Sequence, residues 1–231
     1  MNRGARYRGR MSTENLSARE AIARLMAGNK RYTQNVRSVD SLMSHSRRDL
    51  ESIPQRPFAI VLGCSDSRAP AEIVFDQGLG DLFVIRVAGN IVAPSQVGSV
   101  EFAAERFGTR LVLVMGHSSC GAIDAALEAV LRKGGPASRN LMSIVDRVRP
   151  SIETLVNTDL VNDPPRLKRE AIRANVRISV NHLRHSSQII ERLVDKDGLL
   201  VVGAELDLVT GEVLFLDGAG DAPPLRHRAS R

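Results

Sequence analysis

The chain has 231 residues, 43% of them apolar and 25% charged, ordinary values for a globular protein with one substantial core. Aromatics make up only 3% and tryptophan is absent, which argues against a nucleic-acid surface built on base stacking. No apolar stretch approaches the roughly 20 residues that span a bilayer, and the N-terminus lacks the apolar run of a secretory signal.

The net charge of +6 belongs to the ends of the chain. Arg3, Arg6, Arg8 and Arg10 stand in residues 1–11 without an acid, and Arg226, Arg228 and Arg231 do the same in residues 222–231. The body between them therefore carries −1. Residues 1–15 and 219–231 are expected to be disordered basic tails, solvated and engaged with neither nucleic acid nor membrane. Met11-Ser12-Thr13 offers an alternative start that would make residues 1–10 incidental. Two cysteines and no secretion signal point to a reducing cytoplasm and no disulfide.

In chain order, Ser17-Ala18-Arg19-Glu20 reads as a capping box. Behind it Ala21, Ile22, Leu25 and Met26 form a stripe at helical spacing that runs to about Tyr32. Residues 34–44 read as a connector, followed by a short helix with Arg47, Arg48 and Asp49 on its wet face. Pro54 and Pro57 bracket the entry to Phe58–Leu62, a continuous apolar run typical of a strand buried on both faces of a parallel sheet. Leu82–Val87 and Leu111–Met115 repeat the pattern. Between them a helix is expected over Ser95–Phe107, with Val97, Val100, Ala104 and Phe107 inward, completing a βαβ unit.

An Ala-rich helix follows from Gly121 to about Arg132. Residues 138–157 and 165–194 read as two more helices, the first kinked or split by Pro150 and the second begun by Pro164-Pro165. Leu199–Glu205 and Glu212–Leu216 complete the set as strands joined by a tight hairpin at Thr210-Gly211. With no repeat and no linker, residues 16–218 are expected to form one α/β domain. Its sheet would be mostly parallel and flanked by helices, with a C-terminal hairpin and an N-terminal helical arm.

The chemistry concentrates in two short stretches, Cys64-Ser65-Asp66-Ser67-Arg68 and His117-Ser118-Ser119-Cys120-Gly121. Both follow predicted strands, and ligands of open parallel sheets collect at such ends. The two cysteines and His117 supply three of the four ligands of a tetrahedral zinc ion, and Cys120 opens a helix whose free N–H groups favour a thiolate. Taken singly, either cysteine reads as a small buried hydrophobe and the histidine as a satisfied polar residue. Asp66 and Arg68 are spaced for a bidentate pair that keeps the carboxylate ionised and aimed. Asp66 then either hydrogen-bonds a metal-bound water or ligates the metal itself. A phosphatase-type thiol is excluded, since three residues rather than five separate Cys64 from Arg68.

Together the two stretches resemble the signature pair of the β-class carbonic anhydrases. The likeness extends to Ala27–Tyr32, Gly80–Asn90, Ser99–Phe102, Val202–Ala204 and Thr210–Val213, so that it spans residues 17–218. The resemblance implies a zinc lyase, with one Zn2+ per chain, that interconverts CO2 and bicarbonate through a zinc-bound hydroxide. It assigns Cys64, His117 and Cys120 to the metal, Asp66 and Arg68 to orienting the hydroxide, and the Gly121 N–H to a bicarbonate oxygen. Family members that close their site carry an effector pocket of Trp, Arg and Tyr. Arg86 matches, but Val61 and Leu206 stand at the other two positions. The plant-like branch lines its CO2 pocket with Gln, Phe and Tyr, matched by Gln55 and Phe83, with Phe102 in place of the Tyr. An open, plant-like site is therefore expected, together with a homodimer or a dimer of dimers whose interface holds the active site. A CS2 or COS hydrolase on the same scaffold and a non-catalytic zinc or bicarbonate sensor are the alternatives. The sensor predicts a damaged Asp-Arg pair.

Overall fold

The computed structural model describes residues 15–38, 55–132 and 138–216. The expected tails, apart from Asn15, and the short helix around Arg47 to Asp49 lie outside these residues; Asn15 belongs to the body, its Nδ2 donating to the Pro57 and Phe107 carbonyls. Five strands form one sheet: β1 (Ala59–Gly63), β2 (Leu82–Arg86), β3 (Leu111–His117), β4 (Leu200–Leu206) and β5 (Val213–Phe215). Their order is β2-β1-β3-β4-β5; the first four run parallel and β5 is antiparallel to β4. Among the described residues seven α-helices surround it: α1 (Ala18–Thr33), α2 (Ala71–Val74), α3 (Pro94–Arg106), α4 (Gly121–Leu131), α5 (Arg139–Ile152), α6 (Pro164–Arg184) and α7 (Gln188–Lys196).

Every residue of β1 and β3 is buried, which is why these strands read as unbroken apolar runs. Alternate side chains divide between two cores. Val61, Leu113, Met115, Val202 and Leu206 face α1 and α2, whereas Ile60, Leu62, Val112, Val114 and Val201 face α3, α6 and α7. A third cluster gathers α4, α5 and the start of α6 around Cys64 and Cys120. The chain moves to one side of β1 to form β2 and to the other to form β3. Their carboxyl ends thus flank the point where a doubly wound sheet offers a crevice.

The capping box forms: Glu20 N donates to Ser17 Oγ, and Ser17 N donates to Glu20 Oε2 at 2.9 Å. The α1 stripe packs on its own domain through Ile22 and Leu25. Buried Asn29 fastens the helix, donating to the Val74 and Gly211 carbonyls and accepting from Val213 N. Gly28 is where α1 meets the body most closely, since a Cβ there would stand 1.8 Å from the Phe75 carbonyl oxygen. Alanine normally favours a helix over glycine by about 1 kcal/mol. Here Gly28→Ala should instead cost about 3 kcal/mol through overpacking. Urea unfolding checks this, and an unchanged midpoint would contradict the contact.

Three boundaries differ from the sequence reading. The segment 165–194 is two helices, broken at His185-Ser186, where Ser187 caps α7 by accepting from Ile190 N at 3.1 Å. Pro150 does not split α5; it sits in the last turn, forgoes the bond to the Asp146 carbonyl, and the helix ends two residues later at Ile152. Two 3-10 turns, Leu155–Asn157 and Asp159–Asn162, then carry the chain to α6. Finally, β4 and β5 are joined by Asp207–Glu212 rather than a two-residue turn. The Asp207 carboxylate accepts from Val209 N and Thr210 N, and its carbonyl accepts from Gly211 N, which stabilises the wider loop.

Candidate metal centre

Cys64 follows β1, His117 ends β3, and Cys120 is the N-cap of α4. Because β1 and β3 are parallel neighbours with Gly63 opposite Met115, the two stretches emerge side by side. Ser119, at φ 55°, turns the chain so that Cys120 comes back beside His117. The two sulfurs and an imidazole nitrogen all lie within 4.8 Å of one another, and the three residues are buried. Both cysteines are free thiols.

The imidazole is oriented by its own backbone. His117 Nδ1 is 2.8 Å from the Ser118 carbonyl oxygen, which can only accept, so Nδ1 carries the proton and Nε2 holds the lone pair. Nε2 is buried without a hydrogen-bond partner. Such an orphan is costly in a dry interior unless something electrophilic meets it. Ser118 is itself fixed, donating through N to the Leu206 carbonyl at 2.8 Å and accepting at Oγ from Leu208 N at 2.9 Å.

The thiols respond to one another. A hydrogen bond from Cys120 holds the Cys64 thiol well below the usual thiol range, opposed by burial and aided by His117 and the Gly89 amide. The same bond, then burial, pushes Cys120 well above the thiol range, while the Ala122 and Ile123 amides pull weakly the other way. The opposite shifts express one sulfur–sulfur contact, and two facing sulfurs beside an imidazole suit a cation that binds thiolates. At His117 burial opposes the charged form, but contacts with Cys64 and the Ser118 carbonyl outweigh it and raise the imidazole.

Asp66 and Arg68 form the bidentate pair. Arg68 Nε donates to Oδ1 at 2.9 Å and Nη2 to Oδ2 at 2.7 Å, while Arg68 N also donates to Oδ1 at 2.9 Å. These bonds, the Arg68 side chain foremost, hold the Asp66 carboxyl well below the usual carboxylate range despite partial burial. Both lone pairs of Oδ1 are occupied, whereas Oδ2 keeps one free. Oδ2 is also the oxygen 3.9 Å from His117 Nε2. The guanidinium of Arg86, at the end of β2, joins the loop by donating to the Cys64 and Asp66 carbonyls.

A buried Cys-His-Cys group beside an Arg-held carboxylate narrows the choice of family, and comparison with known proteins decides it. Residues 59–213 match the family model described as "Carbonic anhydrase". Carbonic anhydrase 2 of Mycobacterium tuberculosis is 34% identical over 197 residues, covering 85% of this chain and 92% of its own. The chain belongs to the β-class carbonic anhydrases. A carbonic anhydrase of Mycolicibacterium smegmatis is 51% identical over 98 residues, 42% of this chain and 47% of its own. Among solved structures, the β-carbonic anhydrase CcaA superposes with a TM-score of 0.65 at 25% identity, covering 86% of this chain and 89% of its own. A tetrameric β-carbonic anhydrase of Sordaria macrospora gives 0.67 at 22% identity, covering 86% and 98%, a likeness of fold. As a β-carbonic anhydrase the protein interconverts CO2 and bicarbonate and depends on zinc. The buried Cys-His-Cys group, with its two facing sulfurs and orphaned Nε2, fits that ion.

The remaining sequence candidates are spread more widely. Gly121 is exposed at the first position of α4, beside the metal group. Gln55 is exposed before the amino end of β1, the end opposite Cys64. Phe83 pairs with Ile60, so it lies roughly 13 Å along the strand from Cys64, four residues at the usual rise. It packs with Phe102 and Phe107 at centroid distances of 6.2 and 6.1 Å, and Phe102 is 55% exposed. A single chain does not gather these three at its own metal group. Sequence reasoning missed the tie from Arg86 to the Cys64 and Asp66 carbonyls and the N–H that Gly89 offers to Cys64 Sγ. The first had a signal, a cation at the end of an otherwise apolar strand; the second is a backbone group and had none.

Proposed function

We propose that Cys64, His117 and Cys120 hold the zinc ion, with Asp66 and Arg68 the catalytic pair of an open site. Bound there, zinc supplies the Lewis acidity that makes water a nucleophile at neutral pH. Asp66 Oδ2 accepts a hydrogen bond from the reacting water through its one unfilled lone pair and so turns the water's own lone pair toward CO2. Arg68 keeps Asp66 ionised and prevents it from rotating. The Gly121 N–H, at the start of α4, is free of any intrahelical partner and binds an oxygen of the bicarbonate product. The observation that carries this reading is the free lone pair on Oδ2, 3.9 Å from the orphaned Nε2.

The open form is supported by what surrounds it. Val61 and Leu206 are packed in the core, and the Arg86 guanidinium is engaged with two carbonyls, so these three positions do not offer bicarbonate the Trp-Arg-Tyr grip. Gln55, Phe83 and Phe102 serve as substrate-pocket residues in a homodimer or dimer of dimers, where a second copy brings them to a metal group. The exposed Phe102 beside Phe83 favours that arrangement. Two free thiols suit a reducing cytoplasm, and no described helix is long and apolar enough to cross a membrane.

Stopped-flow CO2 hydration from acid to alkaline pH tests the open reading. The rate should rise smoothly with pH, as a single ionisation. A cooperative collapse below neutrality would mean that Asp66 leaves Arg68 for the metal.

A further inference from the structure

Behind the metal group lies a turn that the chain would not adopt unaided. Gly89 and Asn90 both sit in the left-handed region, at φ 69° and 42°. Glycine enters it freely and asparagine at a modest cost, and two such residues in succession persist where surrounding contacts hold them. The turn matters because Gly89 N donates to Cys64 Sγ at 3.4 Å.

What holds the turn comes from α6. Asn175 Nδ2 donates to the Gly89 carbonyl at 2.8 Å, and Ser179 Oγ donates to the Asn90 carbonyl at 3.1 Å. The two residues are one helical turn apart and 2% and 4% exposed, on the face that otherwise carries Ile172, Val176, Val180 and Leu183. An amide and a hydroxyl in an apolar stripe are unfavourable unless fully bonded, and here both are aimed at consecutive carbonyls of one turn. The Asn90 side chain does not share the task, since its Nδ2 is buried without a partner.

We propose that Asn175 and Ser179 are positioning residues of the metal site. They fix the Gly89–Asn90 turn, and the Gly89 amide in turn keeps the Cys64 sulfur aimed at His117 and Cys120. The inference rests on Cys64 being a zinc ligand. A purely structural role would destabilise metal-free and zinc-loaded protein equally and leave the zinc dissociation constant unchanged. A positioning role weakens zinc binding to protein that is already folded.

The test is competition for zinc between a chromophoric chelator and the full chain, as wild type, Asn175→Ala and Ser179→Ala. Each metal-free protein is first checked for its fold by circular dichroism. Asn175→Ala should weaken zinc binding by about 10- to 100-fold, the usual effect of losing an outer partner of a metal ligand, and Ser179→Ala by a smaller factor. With cobalt(II) in place of zinc, the thiolate-to-metal charge-transfer band should shift in both. Folded variants with wild-type zinc affinity and an unmoved band would overturn the proposal. If Asn175→Ala does not fold, Ser179→Ala decides alone, since alanine is well tolerated within a helix. Wild-type zinc affinity in Cys64→Ser would overturn the ligand assignment, and this inference with it.

Discussion

Cys64→Ser is expected to release the metal and take CO2 hydration to background while leaving the fold in place. A serine hydroxyl is a hard, neutral donor under conditions where the thiolate is soft and charged, so zinc loses one of its two sulfur ligands. Losing an outer partner already costs up to about a hundredfold in affinity, and a direct ligand should cost more. The change is nearly isosteric at a position only 6% exposed, so circular dichroism should be unaltered. Metal analysis after gel filtration reads the result. Stoichiometric zinc in the variant would mean that the sulfur of Cys64 is not a ligand.

Asp66→Asn is expected to separate metal binding from catalysis. The amide has nearly the same shape, but its NH2 replaces one acceptor oxygen, so it can no longer accept from Arg68 on both sides and from water on the third. Hydration per bound zinc should fall by about a hundred- to a thousandfold, the range for losing one positioned polar group at a reacting centre. Zinc content should stay at the wild-type level. Arg68→Ala should act in the same direction, because Asp66 would keep only the Arg68 backbone N–H, and lysine at that position should not restore the rate, lacking the planar fork. A rate per zinc within a fewfold of wild type for Asp66→Asn would remove the carboxylate from the mechanism.

These two variants divide the site as the sequence divides it. The gathering of Cys64, His117 and Cys120 was legible because Cys64 and His117 stand at the ends of strands whose burial on both faces makes them unbroken apolar runs, with Cys120 three residues further on. The Asp66–Arg68 pair was legible because a two-residue spacing in a loop lets a guanidinium fold back on a carboxylate. The break between α6 and α7 was not, since His185 and Ser186 carry no glycine or proline to mark it, and only the capping role of Ser187 settles the register. The Asp207–Glu212 loop was misread because Thr210-Gly211 resembles a hairpin turn, whereas Asp207 three residues earlier sets the geometry. The grip of α6 on the Gly89–Asn90 turn left one trace: polar Asn175 and Ser179 on a stripe of aliphatic residues. Composition and spacing show that such residues are out of place; only coordinates show what they hold. The pocket residues mark a different limit. As proposed pocket residues, Gln55, Phe83 and Phe102 would reach a metal group only in an assembly of chains, which a single chain's pattern does not encode.

The central claim is that the Cys-His-Cys group with its locked Asp66 forms a working catalytic centre. The most direct test is stopped-flow CO2 hydration on wild-type protein, with zinc measured on the same sample. The prediction is close to one zinc per chain and hydration in proportion to the zinc present. Full zinc with no hydration above background at alkaline pH would contradict it.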